Sequence, residues 1–233
     1  MTRASSGTYR GTSSAQRRAE RRRRLLDAAL DIIGTQGLSA LTVRGVCEQG
    51  RVGPRFFYEA FPDLDTLAVE LLREIQEAAL DSARKAIANT EGEPGDRLRA
   101  GVTALVTDLT DDPRRAQLIF AQAHGSETLM RSRFEGMRRI SETIIEQTHL
   151  VLSDELPADS DTALSATSRL ITGGAAELVL VWLDGGLEVD RDGLIALLAD
   201  FTISMIERVP GLARRLPDRA AALHTNTPDS AAR

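Results

Sequence analysis

LTVRGVCEQGRVGPRFFYEAFPDLDTL, residues 41–67, is the stretch whose reading decides the fold. Thr42 suits the cap position of a helix, where its hydroxyl accepts from an otherwise unpaired amide. Val43, Val46 and Cys47 then fall at i, i+3 and i+4 on one face of a short helix. Residues 50–53, bounded by Gly50 and Gly53, make a turn. Pro54 fits the first position of the next helix, where its missing N–H costs nothing. Phe57 and Phe61 lie four apart on the inner side of that helix, and Arg55, Phe56 and Glu59 point elsewhere. One apolar face that seats a second short helix, with polar and aromatic tips left for a major groove, is the pattern of a helix-turn-helix.

Charge on either side of this stretch is unevenly divided. The chain has 233 residues and a net charge of −5, yet residues 1–60 hold eleven Arg against five acids, a balance of +6. The remainder holds eighteen basic residues against twenty-nine acids, or −11. Basic tails are common on proteins of many kinds, but beside a helix-turn-helix the separation points to a nucleic-acid face on one domain and a different task for the other. Arg17, Arg18 and Arg21 to Arg24 crowd one segment with only Glu20 as an acid among them. A solvated face explains many such runs. Six cations this close repel one another unless an anion is present, which favours phosphate contact.

From about residue 17 to residue 67 the chain resembles the DNA-binding domain of the tetracycline repressor (TetR) family. The resemblance rests on the Arg-rich first helix, on Thr42-Val43-Arg44 opening the second, and on GPRFFYEAFPD at 53–63 in place of the recognition helix. Tyr58 and Phe61 stand where the family has its Tyr and Phe. Gly50-Arg51-Val52 replaces a frequent Ala-Gly-Val, Ala60 a frequent His or Tyr, and Leu64 a frequent phosphate-contacting Lys. The resemblance implies a homodimeric repressor on a palindromic double-stranded operator, released by a small-molecule effector. It makes Arg44 and Arg55 base or phosphate contacts, Phe56 a thymine-methyl contact, and Thr42 and Tyr58 phosphate contacts, with Val43 and Gly53 beside them. Arg17, Arg18 and Arg21 would add attraction independent of sequence in place of the absent Lys.

The rest of the chain predicts an all-α protein, since alternating β-branched runs are nearly absent. We expect a disordered arm at 1–16, the helix-turn-helix domain at 17–62, an effector-binding and dimerisation domain at 63–209 and a flexible tail at 210–233. Helices are expected near 16–35, 64–88, 96–109, 113–124, 128–152, 161–184 and 190–208. The 161–184 helix is apolar on nearly all sides in its latter half, and one protein core covers only one stripe of a helix. It is either a central helix of the monomer or half of a dimer interface. The second reading, which the resemblance also implies, pairs the last two helices across a two-fold axis through Gly174, Ala175, Leu178, Trp182, Leu198 and Phe201.

No nucleophile motif, Gly-rich phosphate loop or paired His spacing is present, so neither enzyme activity, cofactor nor metal is expected. The single cysteine, Cys47, reads as a small buried apolar residue rather than a redox sensor. A pocket between helices is expected to draw on Phe120, His124, Phe134, Met137 and Thr148, although His124 equally suits a helix end as a favourable charge. The N-terminal residues lack an apolar secretory segment, and the apolar run 170–183 contains Glu177 and is short for a bilayer, so no membrane partner and a cytoplasmic location are expected. The rival reading is a helical ligand carrier or degenerate enzyme with a vestigial helix-turn-helix. The intact aromatic anchors and the +6 N-terminal region weigh against it.

Overall fold

The computed structural model describes residues 13–121, 126–152, 156–157 and 160–215, and these residues form helices and no strand. Helix α1, Ser14–Gln36, opens with a reciprocal cap: the Ser13 hydroxyl accepts from the Gln16 amide at 3.1 Å and the Gln16 side chain accepts from the Ser13 amide at 2.7 Å. The cap starts the helix ahead of residue 16. Of the expected disordered arm, residues 1–12 lie outside the described residues and the rest form this cap and first turn. Gly37, at φ 88°, ends the helix in a conformation that favours glycine.

A short 3-10 turn, Leu38–Ala40, leads to α2 (Val43–Gly50), α3 (Pro54–Ala60) and the long α4 (Leu64–Asn89). Thr42 caps α2 through the Gly45 amide at 3.0 Å, and Asp63 caps α4 through the Thr66 amide at 2.7 Å. There follow α5 (Pro94–Thr110), α6 (Pro113–Ala116) with a π turn at Gln117–Ala121, α7 (Glu127–Leu152), α8 (Asp161–Leu183), α9 (Arg191–Glu207) and α10 (Val209–Ala213).

The apolar stripe of α4 joins the two ends of the molecule. Its Leu67 and Leu72 are fully buried in a cluster with Leu25, Leu26 and Ile33 of α1, Val46 of α2 and Phe57 of α3, and the same cluster continues to Leu118, Leu129 and Leu194. Each such side chain contributes roughly 1.5–3 kcal/mol by leaving water. The α6 segment crosses α1 at Gly34, where the aliphatic base of Arg114 fills the space a Cβ would need. Arg114 then pairs with Asp31 of α1 and with Asp112, the cap of its own helix.

One expectation changes here. The flexible tail does not begin at residue 210, because Pro210 sits in the first turn of α10, where it is tolerated, and Val209 and Ala213 pack with Ala163 and Leu164 of α8. Residues 216–233 lie outside the described residues. Helix α8 begins at Asp161, as the 161–184 expectation has it, and at 23 residues it is long and apolar enough, by length and composition only, to cross a membrane. One of its faces, with Leu164, Ile171 and Val179, is buried in the protein.

Candidate nucleic-acid interface and ligand cavity

The helix-turn-helix is held from inside by aromatic rings. Phe57 and Phe61 are both fully buried with centroids 6.0 Å apart, and Tyr58 meets Phe57 edge-on at 5.3 Å while staying 61% exposed. Between α2 and α3, Arg51 adopts a left-handed conformation at φ 50°, and the Val52 amide donates to the Cys47 carbonyl at 2.9 Å. Burial pushes the Cys47 thiol up from its ordinary pKa, which keeps it protonated and unreactive.

The outer surface of the motif is polar and open. Arg44 and Arg55 have side chains 87% and 88% exposed, and each bonds a glutamate one turn along its own helix, Arg44 Nε to Glu48 Oε1 at 2.7 Å and Arg55 Nε to Glu59 Oε1 at 3.1 Å. The Glu48 hydrogen bond raises the Arg44 pKa above its ordinary value. Exposed pairs of this kind are screened by water and contribute little, so a phosphate or a guanine edge can displace the glutamate. Val43, Arg44, Pro54 and Tyr58 line a shallow groove. Thr42 and Gly53 are exposed, and Phe56 is partly exposed with the Arg21 guanidinium 4.3 Å above its ring. Arg17 and Arg18 are exposed on the first turns of α1.

The arginine run is not uniform. Arg22 turns to α4, where it hydrogen-bonds Glu70 and Glu74 and lies 5.3 Å from the Phe61 ring. Burial lowers its pKa, and the bonds to Glu74 and Glu70 more than reverse this. The paired acids four apart on α4 were the available sequence signal for this brace.

A cavity of about 120 Å³ lies in the helical body, lined from α4, α5, α7, α8, α9 and the π turn. Of the residues expected at a pocket, Phe120 and Met137 line this cavity and Phe134 and Thr148 do not. Phe134 is 58% exposed, and Thr148 is fully buried away from the cavity with its hydroxyl unpartnered among the described residues. The stripe of α7 that faces inward is Arg133, Met137, Ile140, Ile144 and Gln147, at helical spacing, and Phe134 is one position out of phase. His124 lies outside the described residues. Among the described residues no three His, Cys, Asp or Glu gather as a metal-binding group.

Opposite the cavity, α8 and α9 expose Leu170 (69%), Leu197 (47%) and Phe201 (51%), and nothing lies within 4 Å of a Cβ built on Gly173 or Gly174. Of the expected interface residues, Gly174 and Phe201 are on this face, while Leu178 and Trp182 are half-buried. The Trp182 indole donates to the Val189 carbonyl at 2.9 Å. Ala175 is half-buried against the cavity. Leu198 is only 3% exposed and lines the cavity, so it serves its own monomer and Leu197, one step round the helix, takes the outward position.

No protein-family model matches the sequence. Solved structures share its fold. A protein from Syntrophomonas wolfei assigned to the TetR family of transcriptional regulators superposes with a TM-score of 0.68 at 15% identity, over 81% of this chain and 95% of that one. The transcriptional regulator FadR from Bacillus subtilis, solved in complex with stearoyl-CoA, gives 0.63 at 16% identity over 80% and 96%. The fatty acid degradation regulator FadR from Bacillus halodurans gives 0.64 at 17% identity over 78% and 94%. The chain therefore has the all-α fold of TetR-family regulators, with an N-terminal helix-turn-helix.

Proposed function

We propose that this protein is a homodimeric transcriptional repressor that reads a palindromic operator with α3 of each subunit and releases it when a small molecule occupies the cavity. The observation that carries the reading is the presence in one chain of an outward-facing helix-turn-helix, with Arg44, Arg55, Phe56 and Tyr58 at its surface, and an apolar cavity joined to it by α4. The bridge from Asp31 to Arg114 adds a second link, since α6 runs directly into the π turn whose Ile119 and Phe120 line the cavity. Asp31 also accepts from Gln49 of α2 at 3.0 Å. A ligand that moves the cavity wall thus acts on both partners of the recognition helix, and by linkage operator binding weakens the ligand by the same factor.

The exposed apolar face of α8 and α9 supports a two-fold dimer, which an operator of two half-sites requires. The DNA-reading unit then spans residues 17–62 and the effector and dimer unit runs from 63 through α10. The cavity lining among the described residues contains no Asp, Glu, His, Cys or Lys, so its threonine hydroxyls, Thr110, Thr143, Thr172 and Thr202, have no general base beside them in the lining. A cytoplasmic location follows from the same role.

An electrophoretic shift with the DNA flanking the protein's own gene, repeated with small metabolites, tests the reading. A discrete complex with two subunits per operator, dissolved by one class of metabolite, is the expected result. A protein that binds small molecules in the cavity and never retains DNA would instead be a ligand carrier.

A further inference from the structure

Arg133 is the only charged residue among the described lining of the cavity. Its guanidinium makes no hydrogen bond or ion pair with any described residue, although Glu177 of α8 acts on it at longer range. Its neighbours on α7 are all engaged: Arg131 with Glu127, Arg138 with Glu142 and Arg139 with Gln76. Burial lowers the Arg133 pKa, which marks the loss of water around the cation. A partly desolvated cation without a bonded partner is costly, and an anion offsets the cost. The surrounding wall is mostly aliphatic, with Leu80, Leu105, Phe120 and Ile140 among its members, and its uncharged polar residues are Gln76, Gln147 and four threonines.

We infer that Arg133 anchors the head group of the effector and that the effector is an amphipathic monocarboxylate, its hydrocarbon body lying in the cavity. This rests on the cavity being the effector site of the proposed regulator. At about 120 Å³ the space is somewhat smaller than the ~150 Å³ that accommodates benzene, so as it stands it holds a few carbons, and an eight-carbon chain enters by parting the helices around it. Guanidinium and carboxylate pair through two parallel N–H···O bonds, a geometry that neither an alcohol nor an amine offers.

Calorimetric titration of the full chain with octanoate, octan-1-ol, octylamine and octanoyl-CoA tests the assignment. Octanoate is expected to bind roughly tenfold to a hundredfold more tightly than octan-1-ol, with octylamine weakest. It should also bind more tightly than octanoyl-CoA; the reverse order would mean that phosphate rather than carboxylate is the recognised anion and would overturn the assignment. Arg133→Met should bring octanoate down to the affinity of octan-1-ol while leaving the alcohol unchanged, and Arg133→Lys should restore part of the difference. Circular dichroism of both variants verifies the fold. Equal affinities for octanoate and octan-1-ol in the wild-type chain, or unchanged octanoate binding in a folded Arg133→Met, would overturn it. No DNA is present in these titrations. Loss of carboxylate preference with operator binding intact would therefore defeat this inference alone, and loss of operator binding with the preference intact would defeat only the regulator reading.

Discussion

At the α2–α3 end Val46, Phe57 and Phe61 are completely enclosed and the aromatic rings interlock, whereas between α4, α5, α7, α8 and α9 the chain leaves about 120 Å³ unfilled. The charged groups differ in the same sense. On the helix-turn-helix, Arg44 and Arg55 stand nine-tenths in water with weak partners, and in the body Arg133 is partly desolvated with none bonded. A reader of DNA needs a rigid base beneath movable tips. A ligand sensor needs spare volume, so that occupancy changes how the helices pack. The physical contrast is between a core that fixes one geometry and a core that tolerates two.

The largest effect should come from attacking the rigid end. Phe57→Ala is expected to cost ~3–5 kcal/mol in urea denaturation and to abolish DNA binding. Ala176→Val, which places two methyl groups at the wall of the void, should change stability by less than about 1 kcal/mol while weakening octanoate. Equal penalties at the two sites would erase the contrast between a filled and an unfilled core.

Assembly comes next. Phe201→Glu puts a charge on the exposed α8–α9 face and should give folded monomers by sedimentation, with operator affinity reduced at least about a hundredfold, since the second half-site is lost. A variant that remains dimeric and binds normally would place the interface elsewhere.

Two arginines of the N-terminal region sharpen the comparison further. Arg22→Ala should lower stability by about 1 kcal/mol through loss of the Glu70 and Glu74 pairs and leave base preference unaltered. Arg55→Ala should leave stability unaltered and remove about 1–3 kcal/mol of discrimination at particular operator positions. Competition among single-base operator variants separates the two. The smallest effect is expected at Arg51, whose left-handed conformation suits glycine: Arg51→Gly should add roughly 0.5–1 kcal/mol in thermal unfolding.

The helix starts were legible because capping is local chemistry: Thr42, Asp63 and Asp190 each accept from an amide three residues on. The inner and outer sides of α3 were legible for the same reason, as Phe57 and Phe61 repeat at helical spacing beside polar neighbours. Helices α8 and α9 were harder to read, because a helix that is apolar on two faces does not declare which face meets its own monomer. Leu198 and Leu197 exchanged roles on that account, by one residue. Phe134 and Arg133 show the same slip on α7, where attraction to an aromatic residue concealed the charged member of the inward stripe. The brace from Arg22 to α4 joins residues about fifty apart in sequence: Glu70 and Glu74, four apart, display its acidic side, but local pattern does not name the arginine they hold.

The central claim is that α2 and α3 read a DNA sequence. It is tested most directly by fluorescence anisotropy with the duplex flanking the protein's own gene and a shuffled duplex of equal composition, at about 0.15 M salt, where weak charge attraction is screened. A preference of roughly a thousandfold or more for the native duplex is expected. Equal affinity for the two duplexes would contradict it.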